Sequence, residues 1–498
     1  MRAWVAVAVL GQGVGVAAAQ SPGLPPLALS PPALLASPVP LVEPSVPRPA
    51  ERTQSINLAT ALQLAGASPI DVQIAARQVE LSAKAYDRAK LLWLPNIVTG
   101  VDYFHHDGLQ QNFAGDLVSS SRSSAMVGVG PNVVFGVTDA IYAPLAARQD
   151  VRARRAVLQA ATNDAASQVA DAYFTLQQAR GELGGATYAT KQAEELSRRA
   201  EKLAAGLAPP LEATRAKVEL ARRRQAEATA LERRAVASAE LARLLRLDAG
   251  TTLEPAEPPY LTLSVIDAAA TVDQLIPVAL TSRPELAGQQ AVVQAALVRI
   301  KQEKIRPLVP SVALRSVSTN PSGSIGYGAF GGGQGGNVGN FSSRYDVDLQ
   351  VMWEFQQLGF GNRIRAGERK VEYEIAILEL FRTQDRVAAE VSTAHAQTRA
   401  ATERLALAEP ALRDAVDLMQ KSLEGLGQTR RAGELVTLIV RPQEVVAALQ
   451  LLAQTNADFH AAVGDSNRAQ FRLYRALGHP SGALPAVVAP PGVARPAN

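Results

Sequence analysis

The sequence predicts a mixed fold, membrane β-barrel strands joined to long α-helical coiled coils, in a chain that states one design twice. Three observations predict it. Residues 56–247 and 271–477 carry the same succession of signals. Segments of alternating polarity, flanked by aromatic residues, stand where membrane strands would lie. Arg148 to Ala205 is a 58-residue stretch without proline, which as one helix would reach about 87 Å, deeper than any globular core.

The duplication rests on spacing and on order. Ser68-Pro69 and Leu94-Pro95-Asn96 in the first copy match Arg283-Pro284 and Val309-Pro310-Ser311 in the second, each proline pair 26 positions apart. In both copies there follow a short helix, an alternating strand, a polar or glycine-rich loop, a returning strand, and two long Ala/Arg/Glu-rich helices joined at a glycine. The resulting division is a signal peptide at 1–19, a proline-rich leader at 20–52, a first repeat at 53–250, a linker at 251–270, a second repeat at 271–478 and a disordered tail at 479–498.

Composition supports an ordered chain with much Ala-rich helix: 47% hydrophobic residues, 5% aromatic, and a formal net charge of +4. The pI of 9.3 does not indicate nucleic acid. Lys+Arg (50) and Asp+Glu (46) nearly balance and alternate along the helices, whereas nucleic-acid binding needs a clustered cationic face. Met1 to Ala19 has an early Arg, an apolar run from Ala3 to Leu10 and Ala17-Ala18-Ala19 before Gln20, the layout of a secretory signal with its cleavage site. Ten prolines between Ser21 and Pro49 predict an extended leader. No later segment offers 18 uninterrupted apolar residues. With no cysteine, disulfides, thiolate metal sites and a lipid-anchored cysteine are all excluded, so attachment to a membrane falls to the strands.

From Tyr345 to Trp353, Tyr345, Val347, Leu349, Val351 and Trp353 alternate with Asp346, Asp348, Gln350 and Met352, a period of two that gives one apolar and one mostly polar face. If the apolar face meets lipid, Asp346, Asp348 and Gln350 face the lumen. The partner strand is expected at Val312 to Ser318, and the first-copy strands at Ile97 to His105 and Ala125 to Val137. Trp93 before the first strand, with Trp353 and Phe355 after the last, fall at one end of the sheet, where an interfacial aromatic girdle belongs. Four strands cannot close a barrel in lipid without leaving backbone groups unpaired, so the barrel is shared between chains. Two chains would give eight strands and three would give twelve.

Among the helices, Val445, Ala448, Leu452, Thr455, Phe459, Ala462, Ser466, Ala469 and Leu473 recur at steps of three and four, a heptad stripe that implies left-handed coiled-coil packing. A second stripe, Val218, Ala221, Ala228, Leu231, Ala235, Ser238, Leu241 and Leu245, is expected to be buried, and the Arg/Glu-dense faces at Arg222–Arg224, Glu232–Arg234 and Arg243 to be wet. Bends are expected at Gly184-Gly185 and Pro410.

The duplicated order resembles the TolC-type outer membrane efflux protein family. The residues that carry the resemblance are the segments INLATALQLAGASP and TVDQLIPVALTSRP, the LPN and VPS strand starts, VADAYFTLQQA from Val169 to Ala179, and the tips KLAAGLA and RRAGELVTLIV. It covers nearly everything from Ile56 to Gly478. The resemblance implies a homotrimer with a twelve-stranded barrel in the outer membrane and a twelve-helix tunnel through the periplasm. It further implies docking to a periplasmic adaptor (membrane fusion) protein and an inner-membrane transporter. The turn at Lys202, Leu203, Gly206, Leu207 and Ala208, with Gly433 in the second copy, resembles the family's adaptor-docking tip. Where some family members carry a pair of aspartates at the periplasmic mouth, this sequence offers Leu438, Ile439, Val440, Arg441 and Pro442, with Arg430 and Arg431 nearby. The expectation is a tight apolar mouth with basic neighbours, closing by dewetting and not by an acidic ring.

Other motifs add little. Gly326 to Gly331 matches G-x-G-x-x-G, but more glycines follow and no helix begins there, so a surface loop is expected in place of a dinucleotide site. His105-His106 lacks a third ligand and reads as a loop at a strand end. No Ser, His and acid set stands out, so no enzyme activity and no cofactor are expected. The reading is a passive export duct. The alternative is a periplasmic coiled-coil scaffold without a pore, which would not carry duplicated barrel strands.

Overall fold

The computed structural model describes residues 52–66, 69–204, 208–248, 250–267, 270–315, 327–345, 348–432 and 435–478. The signal, nearly all of the leader and the tail lie outside the described residues, as do Gly206, Leu207, Asp346 and Gly433.

The chain opens with β1 (Arg52–Ile56) and α1 (Leu58–Ala65), whose first turn is held by the Asn57 side chain accepting from the Thr60 amide at 2.7 Å. Next come α2 (Ile70–Lys90), β2 (Asn96–Gln111), β3 (Leu117–Gly136), α3 (Val137–Ala204), α4 (Pro210–Leu245) and β4 (Thr251–Pro255), which pairs in parallel with β1. A linker leads to α5 (Val272–Ser282), α6 (Pro284–Ile305), β5 (Ser311–Arg315), β6 (Tyr327–Gln334), β7 (Gly339–Tyr345), β8 (Asp348–Met352), α7 (Phe360–Gly425), β9 (Thr429–Ala432), β10 (Leu435–Leu438) and α8 (Pro442–Ala476). The element order of the first half thus recurs in the second. Proline occupies the first helical position of α4, α6 and α8, where its missing N–H costs nothing.

The sheet is antiparallel. β2 pairs along its whole length with β3, β3 pairs on its other side with both β5 and β6, β8 pairs with β5, and β7 pairs with β6. The second-copy strands are therefore two lines, β5 then β6 and β7 then β8, and the sheet has four lines in all.

Several expectations change. The glycine-rich stretch is not a loop: Tyr327–Gln334 is β6, held from both sides by backbone ladders that need no side chain. Its glycines answer to sterics, since a Cβ at Gly331 would overlap the Phe341 ring and one at Gly328 the Val127 carbonyl. His105 and His106 lie inside β2, opposite Ser123 and Arg122. α3 begins eleven residues before Arg148 and runs through Pro144. Its first turn is fixed by tertiary contacts, Asp139 accepting from Arg306 Nη2 at 2.6 Å and Gln302 Nε2 at 2.7 Å. The helical assignment of α3 and α7 is unbroken through Gly184-Gly185 and Pro410, the positions where bends are expected. The junction of α7 and α8 is a β-hairpin, β9 with β10, and not a bare glycine turn.

The core is strung along the helices. Tyr173, Phe174 and Leu176 of α3 pack with α1, Leu241 and Leu245 of α4, and Phe471 of α8. Towards the tip, Leu196 meets Met419, Val445, Leu449 and Leu452. Below the sheet, Leu275, Leu286, Val387 and Val391 enclose Leu473 and Leu477. The α8 heptad stripe is buried or half-buried throughout. The α4 stripe is not. Val218, Ala221, Ala228, Leu231 and Ala235 are exposed, whereas Ser238, Leu241 and Leu245 are buried as expected, and α4 also turns Ala216, Glu219, Ala230 and Ala237 inward. On the charged face Arg223 meets the buried Glu219 of the same helix at 2.7 Å, Arg224 meets Glu194 of α3 at 2.9 Å, and Arg233 meets Glu182 of α3 at 3.5 Å. The face expected to be wet is exposed at Arg222, Arg224, Glu232, Arg233 and Arg243 and partly covered at Arg223 and Arg234.

Candidate functional site

Register divides the sheet into two faces. Ile97, Val101 and Tyr103 of β2 stand with Ala125, Val127 and Val129 of β3, Ala329 of β6, and Leu349 and Val351 of β8. Ile97, Val101, Val127, Val129, Leu349 and Val351 are all exposed in the single chain. Contiguous apolar exposure of this extent marks a surface that meets lipid or protein. At the helix end Trp93 stacks on Phe135 with ring centroids 4.7 Å apart, and Trp353 and Phe355 stand exposed beyond β8. Midway along β2, Tyr103 stands level with Phe341, which lies over Gly331, in a second aromatic level that the sequence reading missed. Between the levels, Ile97 to Tyr103 spans about 20 Å of strand, comparable with the apolar band of about 25 Å on a membrane barrel.

The opposite face carries Asp102, Phe104, His106, Met126, Phe330 and Gln350, the polar groups mixed among small and aromatic ones. Asp348 opens β8, paired in register with Arg315, and Gln350 is half-buried opposite Ala313. β2 at one side of the sheet, and β7 and β8 at the other, each have one ladder edge without a partner strand among the described residues.

The helices have matching open sides. α2 packs on α3, α3 on α6 and α6 on α7, which leaves α2 and α7 at the two ends of a curved row. Each end shows an apolar stripe: Ile70, Ile74 and Leu81 on α2, and Phe360, Ile364, Val371, Ile375 and Leu378 on α7, all exposed. Spacings of three, four and seven are those of a helix seam lacking its partner.

At the far tip, Lys202 is exposed and Leu203 half-buried at the end of α3, and the Ala208 amide donates to the Leu203 carbonyl at 2.9 Å. Arg430 pairs with Thr437 and Arg431 with Val436 in the hairpin, and Leu438 ends β10 half-buried. Ile439 is exposed, and its amide donates to the Gln428 carbonyl at 2.9 Å. Arg441 is the N-cap of α8, its amide donating to Glu444 Oε2 at 3.4 Å and its carbonyl accepting from the Glu444 amide at 2.9 Å. The tip residues of the two copies come from one end of the molecule.

Sequence reasoning also missed a buried polar array around the linker. The Tyr173 hydroxyl donates to Glu257, and burial first, then the Glu257 carboxylate, pushes its pKa up. Gln177 Nε2 donates to the Pro258 carbonyl at 2.6 Å and Arg180 Nη1 to the Pro255 carbonyl at 2.6 Å. These partners lie about 80 residues apart in the chain, beyond any local pattern. Among the described residues no three His, Asp or Glu side chains are placed to hold a metal, and no helix is long and apolar enough to cross a membrane.

No protein-family model and no curated protein sequence matches this chain. Solved structures do. The outer-membrane channel OprN superposes with a TM-score of 0.67 at 17% identity, over 84% of this chain and 89% of that one. The CmeC outer membrane channel of Campylobacter jejuni gives 0.67 at 13% identity, over 85% of each. The MtrE outer membrane channel of Neisseria gonorrhoeae, in its open state, gives 0.63 at 17% identity, over 85% and 89%. The fold is that of the TolC-type channels, a sheet segment continued by long coiled-coil helices.

Proposed function

We propose that this chain is one subunit of an outer membrane export channel in which three copies close a twelve-stranded barrel and a twelve-helix tunnel. The observation that carries the reading is the four-line antiparallel sheet with an apolar exposed face, two aromatic levels and, among the described residues, two open edges. In lipid such edges must pair, and β2 of one copy can meet β7 and β8 of the next. The apolar stripes of α2 and α7 would meet in the same head-to-tail step, which closes into a ring. Four lines in each of three copies give the twelve strands of the fold's known members. The likeness to outer-membrane channels favours three copies over two.

In that assembly the polar sheet face with Asp346, Asp348 and Gln350 lines the barrel, and the helices continue the bore through the periplasm. Leu438 and Ile439 narrow the periplasmic mouth, with Arg430, Arg431 and Arg441 beside it. Lys202, Leu203, Gly206, Leu207, Ala208 and Gly433 form the tip where a periplasmic adaptor docks, itself joined to an inner-membrane transporter. Transport through the duct is passive, and cargo choice rests with the partners. A signal at 1–19 exports the chain, and the leader at 20–52, the repeats at 53–250 and 271–478, the linker at 251–270 and the tail at 479–498 are its remaining parts.

The test is oligomer mass and single-channel conductance of the detergent-extracted protein in a planar bilayer. A trimer with discrete currents, enlarged when Leu438→Gly and Ile439→Gly are combined, supports the duct. A monomer without conductance in either form refutes it and favours a periplasmic scaffold.

A further inference from the structure

The linker from Pro255 to Ile266 lies as a strap across α3 and α8, held by buried polar side chains. Besides the bonds from Gln177 and Arg180, Asn467 of α8 accepts from the Leu263 amide and donates to the Leu261 carbonyl, both at 2.8 Å. Gln470 accepts from the amides of Val265 and Ile266 at 3.3 and 3.1 Å. Two turns before Asn467 on the same face of α8 stands His460, 9% exposed, hydrogen-bonded to the Pro259 carbonyl. Its Nδ1 is buried and has no partner, so it is Nε2 that donates to Pro259.

What faces Nδ1 is bare backbone. Gly181 of α3 lies against the ring, and a Cβ there would fall 2.6 Å from His460 Cε1 and 2.7 Å from Cγ. One turn along, Gly185 faces Asn456 in the same way, with Asn456 Nδ2 2.8 Å from the position of a Cβ. α3 and α8 therefore approach closely over Gly181 and Gly185, where the histidine sits, and the nearby α3 carbonyls are occupied by their own helix amides. A proton on Nδ1 would add a donor and a charge facing no acceptor, in a site from which water is excluded.

The charged groups around the ring do not relieve that. From α3 come Arg180, bound to the strap, and Glu182, which favours the protonated ring but is engaged by Gln178 Nε2 at 2.7 Å and by Arg233 of α4 at 3.5 Å. Glu257 of the strap is taken by Tyr173 and by the Leu58 amide at 3.0 Å. On α8 itself, Asp465 is shared between Arg468 at 2.7 Å and Arg404 of α7 at 3.2 Å, and Asp458 accepts from Gln454 at 2.9 Å.

We propose that His460 is a protonation-sensitive pin: neutral, it fastens the inter-repeat strap and α8 onto the glycine face of α3, and protonated at Nδ1 it releases the strap and loosens the joint between the two coiled coils. The pin stands whether or not the chain forms a channel. Burial pulls the ring's pKa below its ordinary value. The contribution of the neutral ring is complete above about 6.5, the unfolded value, and is lost as pH falls through the lower folded value, because the unfolded chain takes the proton first.

Amide hydrogen exchange of the full chain in detergent, at pH 7.5 and 5.5 and divided by the intrinsic chemical rates, tests the pin. Strap amides at Leu263, Val265 and Ile266 are expected to exchange faster at pH 5.5 than at pH 7.5, while the His460→Gln chain shows equal protection at both pH values. Unchanged protection in the native chain, or the same pH response in His460→Gln, overturns it. A second measurement needs no variant: exchange of the His460 C2 proton must titrate below the ordinary histidine midpoint, and a midpoint at or above it overturns the pin as well.

Discussion

Two glycines three residues apart on α3 should respond to alanine with opposite signs. A helix-interior Gly→Ala change ordinarily stabilises by about 1 kcal/mol, through the backbone entropy it removes from the unfolded chain. At Gly184 nothing lies within 4 Å of the new methyl group, so that full gain of about 1 kcal/mol is expected. At Gly181 the methyl would overlap the His460 ring. Forcing a group into a packed seam costs about 1 to 3 kcal/mol, which cancels or exceeds the helical gain and leaves a net loss of up to about 2 kcal/mol. Shortening the partner reverses this. In a His460→Ala background the ring is gone, Gly181→Ala should regain its stabilising sign, and the coupling between the two sites should be about 2 kcal/mol. Unfolding followed by helical circular dichroism, for the four chains of the cycle and for Gly184→Ala, reads all of this. If Gly181→Ala and Gly184→Ala stabilise equally, or if the coupling is below about 0.5 kcal/mol, the close approach of α3 and α8 at His460 is refuted.

Three further outcomes can be measured. Val101→Arg, in the middle of the apolar sheet face and 76% exposed in the single chain, should cost about 2 to 4 kcal/mol in a bilayer and abolish heat-resistant oligomers on gels, whereas Gln350→Arg on the opposite face should assemble normally. Arg283, with a side chain 2% exposed, reaches Glu390 at 2.6 Å and Glu285 at 3.1 Å. Arg283→Met strands these carboxylates, and because Glu390 is 34% exposed and has Arg475 in reach, the loss should be about 2 kcal/mol rather than the 3 to 5 of a fully buried pair, partly recovered by adding Glu390→Gln. The raised pKa of Tyr173 predicts a contribution present below about pH 10, the unfolded value, and lost as pH rises beyond it. The difference between native and Tyr173→Phe melting temperatures should shrink at alkaline pH, and a constant difference would contradict the buried phenol.

Local periodicity was enough to announce the main elements. The alternation from Leu349 to Trp353, the heptad of α8 and the twofold proline spacing are patterns in which each residue's role follows from its near neighbours, so the strand, the coiled coil and the repeat could be read in order. The face assigned to Asp348 and Gln350 follows from the same alternation. Only the tertiary structure decided matters that depend on partners far away in the chain. Tyr327–Gln334 looks like a loop because glycine has poor strand propensity, yet ladders from β3 and β7 on both sides make it a strand. The α4 stripe reads as core along its whole length, but only its end at Ser238, Leu241 and Leu245 is buried, while Val218 and Leu231 stand outside and Arg224 and Arg233 pair with Glu194 and Glu182 of α3. His460, Asn467 and Gln470 are ordinary helix residues until the strap, some 200 positions away, is laid across them. Sequence determined what each segment could become, through backbone preference and apolar spacing. Long-range hydrogen bonds, ion pairs and close helix contacts determined which of those possibilities the packed chain uses, because their energies exist only once distant residues are brought together.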